Sequence, residues 1–207
     1  MEKLRELKKV IAAVICVSAI CMVLMWNWNL WLFRGNSVAG LPDMSIRFTP
    51  QEWGSLQSLI FERYGSAEFN YFGESVGVYI SFYSRDELIL NERMASIVTV
   101  GNRDFNGSVA WGLTTEGNLP RELRAVVRLG SGMSQSYFDF SNIGFDFESH
   151  VISTAGPDER NNIIERGQRR VLQRWQTGST MRADRNDFHP EELRTSEHTA
   201  ILYILFD

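Results

Sequence analysis

Beyond residue 39 the chain has neither cysteine nor lysine: Cys16 and Cys21 lie in an apolar stretch near the N-terminus, and Lys3, Lys8 and Lys9 come before it. The segment 40–207 therefore forms no internal disulfide. It has no need of one, since a domain of that length buries a substantial core unaided. With 16 arginines against 23 acidic residues, the same segment carries a net charge of −7. That balance argues against a nucleic-acid-binding module, whose footprint is normally basic.

Histidine is equally sparse. His150, His189 and His198 are the only three, and none stands at zinc-ligand spacing from another ligand on a recognisable helix. No metal or cofactor motif stands out, so no cofactor is expected. Gly130-Ser131-Gly132-Met133-Ser134 has neither the spacing of a nucleophile elbow nor the lysine of a phosphate loop, and reads as a connection between strands. Neither cysteine follows a lipobox: Ile15 and Ile20 are too bulky.

What the chain does have is an uncharged run from Val10 to Phe33. At about 1.5 Å per residue, 20 such residues cross a hydrocarbon core of roughly 30 Å, and only a helix satisfies its own backbone there. Trp26, Trp28 and Trp31, interleaved with Asn27 and Asn29, resemble the aromatic belt at one membrane interface. Lys3, Arg5, Lys8 and Lys9 lie before the run, whereas only Arg34 follows it before Arg47. By the positive-inside tendency this predicts a cytoplasmic N-terminus at residues 1–9, a transmembrane helix over 10–33 and an extracytoplasmic domain. The expected location is the cytoplasmic membrane of a bacterium, with the domain periplasmic or extracellular. Ser37-Val38-Ala39 before Gly40 suits a signal peptidase, but the apolar run exceeds the usual 7 to 15 residues of a cleaved signal, which favours a retained anchor. Asn27 and Asn29, with the small Cys16 and Ser18, also suit contact with a partner helix.

Residues 34–44 read as a linker and 45–207 as one domain. Thr49-Pro50-Gln51-Glu52 opens a helix expected to run from Pro50 to Tyr64, with Gly65 as its stop. Val76 to Tyr83 and Glu122 to Leu129 have strand composition and alternation. Ser84 to Glu87 suits either a short helix start or the approach to a strand at Leu88-Ile89-Leu90. Asn106-Gly107 predicts a hairpin between 96–101 and 108–114, pairing Val100 with Leu113 and Asn102 with Trp111. The triplets Phe138-Asp139-Phe140 and Phe145-Asp146-Phe147 predict a second hairpin, with all four rings on one face and Asp139 opposite Asp146. Pro157 to Gln176 reads as a long amphipathic helix ended by Gly178, and Pro190 begins a short helical turn. Thr199 to Phe206, apolar on both faces, reads as a central strand. The fold class expected is α+β: a mostly antiparallel sheet of five to seven strands packed by two main helices.

Three functions fit these features. The favoured one is a non-enzymatic binding or assembly subunit of an envelope complex, with the membrane and a protein as partners. Its contact would run through the sheet or through Arg166, Arg169, Arg170 and Arg174 on the helix that also carries Arg160. An extracytoplasmic hydrolase of envelope polymers would draw acid and base from the histidines and nearby carboxylates. A ligand- or glycan-binding module would use Tyr71, Phe72, Tyr79 and Tyr83. Asp139 and Asp146, if opposite each other, would attract a cation or an arginine between them, although calcium requires more oxygen ligands than these loops supply.

Overall fold

The computed structural model describes residues 2–30, 37–49, 61, 63–116, 119–130, 132–143, 152–155, 162–177 and 188–207. The first element, α1 (Glu2–Asn27), joins the basic N-terminal residues to the apolar run in one helix of 26 residues. Its stretch Lys8–Asn27 is long and apolar enough to cross a membrane, and none of that stretch is buried against the rest of the protein.

The helix ends earlier than the hydropathy suggests. Asn29 adopts φ of 53°, a left-handed conformation that asparagine tolerates better than most residues. The Asn29 amide donates to the Trp26 carbonyl at 3.2 Å, and the Leu30 amide donates to Met25 at 2.8 Å. This pair of bonds is a Schellman cap, which satisfies carbonyls that the helix end would otherwise leave open. The apolar run continues past Asn27, but the helix does not.

Among the described residues eight strands then form a single antiparallel sheet. They are β1 (Ser45–Thr49), β2 (Arg63–Ser84), β3 (Glu87–Glu116), β4 (Leu119–Leu129), β5 (Gly132–Asp139), β6 (Ile152–Ala155), β7 (Arg169–Thr177) and β8 (His198–Phe206). Seven of them follow the order β5-β4-β3-β2-β8-β7-β6, and β1 pairs separately with β2. The only other regular elements among the described residues are a 3-10 turn at Phe140–Asn142 and a four-residue helix, α2 (Pro190–Leu193).

The long β2–β3 pair organises everything else. Its ladder breaks between Gly73↔Arg103 and Ser75↔Val98, so that Glu74 alone faces Thr99 to Asn102. The break also reverses which alternate residues point inward. Ala67, Phe69 and Tyr71 are buried before it, and Val76, Val78, Ile80 and Phe82 after it. Because side chains alternate with period two, such a change of phase requires an irregularity between the two runs. β1 pairs with β2 before the break, over Ser66 to Asn70, and β8 pairs with it after the break, over Val76 to Ser84.

Two half-sheets therefore meet at this corner and share one core. Phe82 of the second half packs on Phe138 and Phe140 at 5.2 and 5.6 Å, and Phe206 packs on Phe69 and Tyr71 at 5.3 and 5.0 Å. β8 is buried on both sides, as its composition predicted. Leu202, Ile204 and Phe206 face this core, while Ile201 and Tyr203 face a second cluster with Tyr83 and Leu193.

Several expectations are corrected. The amphipathic helix over 157–176 is not present where the chain is described, because Arg169–Thr177 is strand β7. The pairing of β7 with β8 shifts between Val171 and Gln173. That bulge lets Leu172 and Trp175, three residues apart, both reach the core, a spacing that imitates a helical stripe. The helix over 50–64 lies mostly outside the described residues, but Arg63, Tyr64 and Gly65 belong to β2. The "two main helices" expected to cover the sheet are thus not found: apart from α1, the described residues hold only the four-residue α2.

Asn106-Gly107 is no turn either. Gly107 sits in mid-strand between Phe69 and Leu129, and a Cβ there would overlap the carbonyl oxygen of Arg128. Glycine serves there for close backbone approach. Chain reversal occurs instead at Arg85-Asp86, with Arg85 at φ 53° between the paired Ser84 and Glu87. The second hairpin fails at Phe140, which opens the 3-10 turn instead of continuing a strand. Phe145 to Phe147 lie outside the described residues.

Candidate functional site

Two surfaces concentrate features that the fold alone does not require. The first is the junction of α1 with the domain. Asn29 is buried, and its amide nitrogen donates to the Leu41 carbonyl at 2.5 Å and to Asp43 Oδ1 at 3.1 Å. From the opposite side Asn70 of β2, also buried, donates to the Val38 and Leu41 carbonyls at 3.0 and 2.7 Å. Its Oδ1 accepts from the Val38 amide at 2.8 Å. The Gly40 amide donates to the Trp28 carbonyl at 2.8 Å, and Asn106 reaches Ser37 Oγ at 3.3 Å.

Residues 37–44 are thus held between the helix end and the sheet by two asparagine side chains. An asparagine suits this task because its amide presents both donors and acceptors, matching the exposed peptide groups of an irregular segment. The sequence holds a signal for Asn29, since asparagine follows glycine as the preferred residue just past a helix end. Asn70 gives none, because its partners are 29 and 32 residues away.

The second surface is a groove of about 480 Å³ between the β3 and β5 edges, lined by Ile89, Leu90, Glu92, Tyr137, Phe138, Asp139 and Ile143. Among the described residues, no strand pairs with the outer edge of β3 from Glu87 to Val98, nor with that of β5. Leu88, Ile89 and Tyr137 are exposed there. Asp139 Oδ1 accepts from the Ser141 amide at 2.9 Å. Bonding to Ser141 holds its carboxyl below the ordinary aspartate range. Asp146, its expected opposite, lies outside the described residues.

The remaining predicted residues are dispersed. Trp26 and Trp28 are exposed at the end of α1, while Trp31 lies outside the described residues. Lys3, Arg5, Lys8 and Lys9 fall within α1, where Lys9 pairs with Glu6 at 2.7 Å. Arg166 reaches Asn102 Oδ1 at 3.0 Å, and Arg170 donates to the Ile163 carbonyl. Arg169 lies 5.0 Å over the ring of Phe188, and Arg174 is buried near the Glu192 carbonyl. Arg166 precedes β7, and on the strand itself the adjacent Arg169 and Arg170 point to opposite sides of the sheet.

His150 is outside the described residues, His189 precedes α2 without capping it by its side chain, and His198 begins β8. Among the described residues no group of three or more His, Cys, Asp or Glu could hold a metal ion. Of the four aromatic residues considered for ligand binding, Tyr71 and Tyr83 are buried and Tyr79 stacks on Tyr203 at 5.4 Å. Phe72 alone is exposed. The Tyr71 hydroxyl is buried without a well-formed hydrogen bond. Desolvation raises its pKa, and nearby Arg166 offsets this only in part.

Compared with known proteins, the chain matches no family model, no curated protein and no solved structure.

Proposed function

We propose that this chain is a single-pass membrane protein whose β domain stands on the outer face of a bacterial cytoplasmic membrane and binds a protein partner there without catalysing a reaction. The observation that carries the reading is the edge of β3 that faces β5 across the groove and with which no described strand pairs. An unpaired strand edge offers a row of backbone donors and acceptors, and folded proteins usually cover, shorten or heavily charge such an edge. Here Leu88 and Ile89 are exposed along it. Addition of an extended segment as a further strand satisfies that edge, with alternate side chains entering the groove. Glu92 and Asp139 in the lining favour a segment bearing a basic residue beside apolar ones.

The test uses the full chain in its native membrane. A photoreactive residue at Ile89 is expected to give one discrete cross-linked species, and one at exposed Arg124 on β4 none. Native mass after detergent extraction is expected to exceed that of the 23.8 kDa chain. A single-chain mass in every preparation, together with no cross-link at Ile89, would reject the reading. Orientation is checked separately by Arg124→Cys, which should react with a membrane-impermeant maleimide from the outer side. Reaction only after lysis would reverse the assigned topology.

A further inference from the structure

The corner of the fold carries an apolar tip that strand pairing does not use. Where Glu74 faces four residues of β3, the chain Thr99 to Asn102 is pushed outward. Gly101, at φ +74°, allows the turn. Thr99 Oγ1 bonds the Gly101 carbonyl at 3.1 Å, and Arg166 holds Asn102, so the loop is fixed at both flanks. At its apex Val100 is 96% exposed, with Val98 at 63% and Phe72 at 51% nearby. Valine so exposed on a fixed loop is unfavourable in water, since its methyl groups gain nothing by being held there.

The location of this tip relative to α1 decides what covers it. Asn29, two residues past the end of α1, bonds Asp43. Asp43 is two residues before Ser45, the strand partner of Asn70, and Phe72 is two residues beyond Asn70. Asp43 and Phe72 therefore flank the same end of the β1–β2 pair, and the helix is docked at that end. The corner follows directly: Phe72 pairs with Asp104, and Gly73 with Arg103.

We infer that Phe72, Val98 and Val100 rest in the interface of the same bilayer that α1 spans, making the corner a second membrane contact of the domain. The inference depends on α1 being a membrane anchor. Arg103 and Arg166 at the corner stand against Glu74, Asp104 and Asp207, whose backbone bonds Glu74 and Ser75, so the corner has no excess of positive charge to draw it to anionic lipid. Apolar insertion holds the contact, and it is indifferent to the fraction of anionic lipid.

The experiment places the full chain, with Cys16→Ser and Cys21→Ser, in phosphatidylcholine nanodiscs with and without phosphatidylglycerol. A nitrobenzoxadiazole probe is attached at Val100→Cys, or at Leu88→Cys as a control, some ten residues and about 33 Å along β3 from Val98. At residue 100 emission should shift to the blue and be quenched by bromolipid several-fold more than at residue 88, equally in both lipid mixtures. Adding Val98→Asp should restore quenching by aqueous iodide at residue 100. Equal access of iodide to both probes in protein retained by the nanodisc would overturn the contact alone. Failure of the chain to co-elute with nanodiscs would overturn the anchor and this contact together. Quenching that appears only with phosphatidylglycerol would replace insertion by headgroup attraction and overturn the mechanism.

Discussion

Replacing Asn70 by alanine probes the joint between helix and domain most directly. The substitution removes three hydrogen bonds, two to Val38 and one to the Leu41 carbonyl. Leu41 keeps its bond from Asn29, but Val38 loses both side-chain partners in a partly buried site. At about 1 kcal/mol net per bond, with a further cost for peptide groups left without a partner, the loss should be about 3 kcal/mol. For a domain of this length that is a fall in Tm of about 10 °C. The assay is thermal unfolding of the full chain in detergent, followed by circular dichroism, with hydrogen exchange over residues 37–41 read in parallel. The Val38 amide should lose protection. Asn29→Ala should weaken the same joint, and because both asparagines serve the Leu41 carbonyl, the double variant should depart from additivity. A Tm within about 2 °C of the parent, with Val38 still protected, would refute the idea that these amides hold the segment.

Other consequences are as concrete. Gly107→Ala should destabilise by about 3 kcal/mol or more, because the new methyl group meets the Arg128 backbone and not a movable side chain; wild-type denaturant resistance in this variant would contradict the mid-strand position. Phe82→Ala removes a fully buried ring that stacks on Phe138, and urea titration should show a loss of about 3 to 5 kcal/mol. The raised pKa of Tyr71 predicts alkaline sensitivity: its contribution is intact below the unfolded value of 10.0 and is lost as pH rises from there through the folded value. Tyr71→Phe should remove that step from the pH–stability curve while leaving stability at pH 7 nearly unchanged, and persistence of the step in the variant would assign it to another group.

Local patterns were legible where one rule governed the residue. β8 is apolar on both faces and is central. Val76 to Tyr83 and Glu122 to Leu129 are strands, and Pro190 starts a helical turn. The ends and irregularities were not legible, because they depend on partners distant in sequence. A bulge at Leu172 turned a strand into an apparent helix, and a glycine required by a neighbouring backbone resembled the second half of an Asn-Gly turn. Hydropathy located α1 but not its end, since the feature that stops it is the backbone conformation of Asn29 and not a change in polarity. Of the candidate surfaces, the exposed Trp26 and Trp28 could be read from the sequence. The Asn29–Asn70 joint and the β3–β5 groove could not, since each is assembled from segments that only the folded sheet brings together.

The capped helix end and the pinned segment after it also bear on encounter geometry. A domain on a slack tether samples every tilt and presents its groove to a neighbour only part of the time. Here hydrogen bonds run from Trp28 and Asn29 through residues 38–43 to Asn70, leaving little freedom for the domain to nod or swivel independently of its helix. If α1 anchors the chain as proposed, a partner diffusing in the same bilayer would search a plane in which height and tilt are already set and only position and azimuth remain. Less orientational freedom is lost on association, so modest contacts suffice for a lasting encounter.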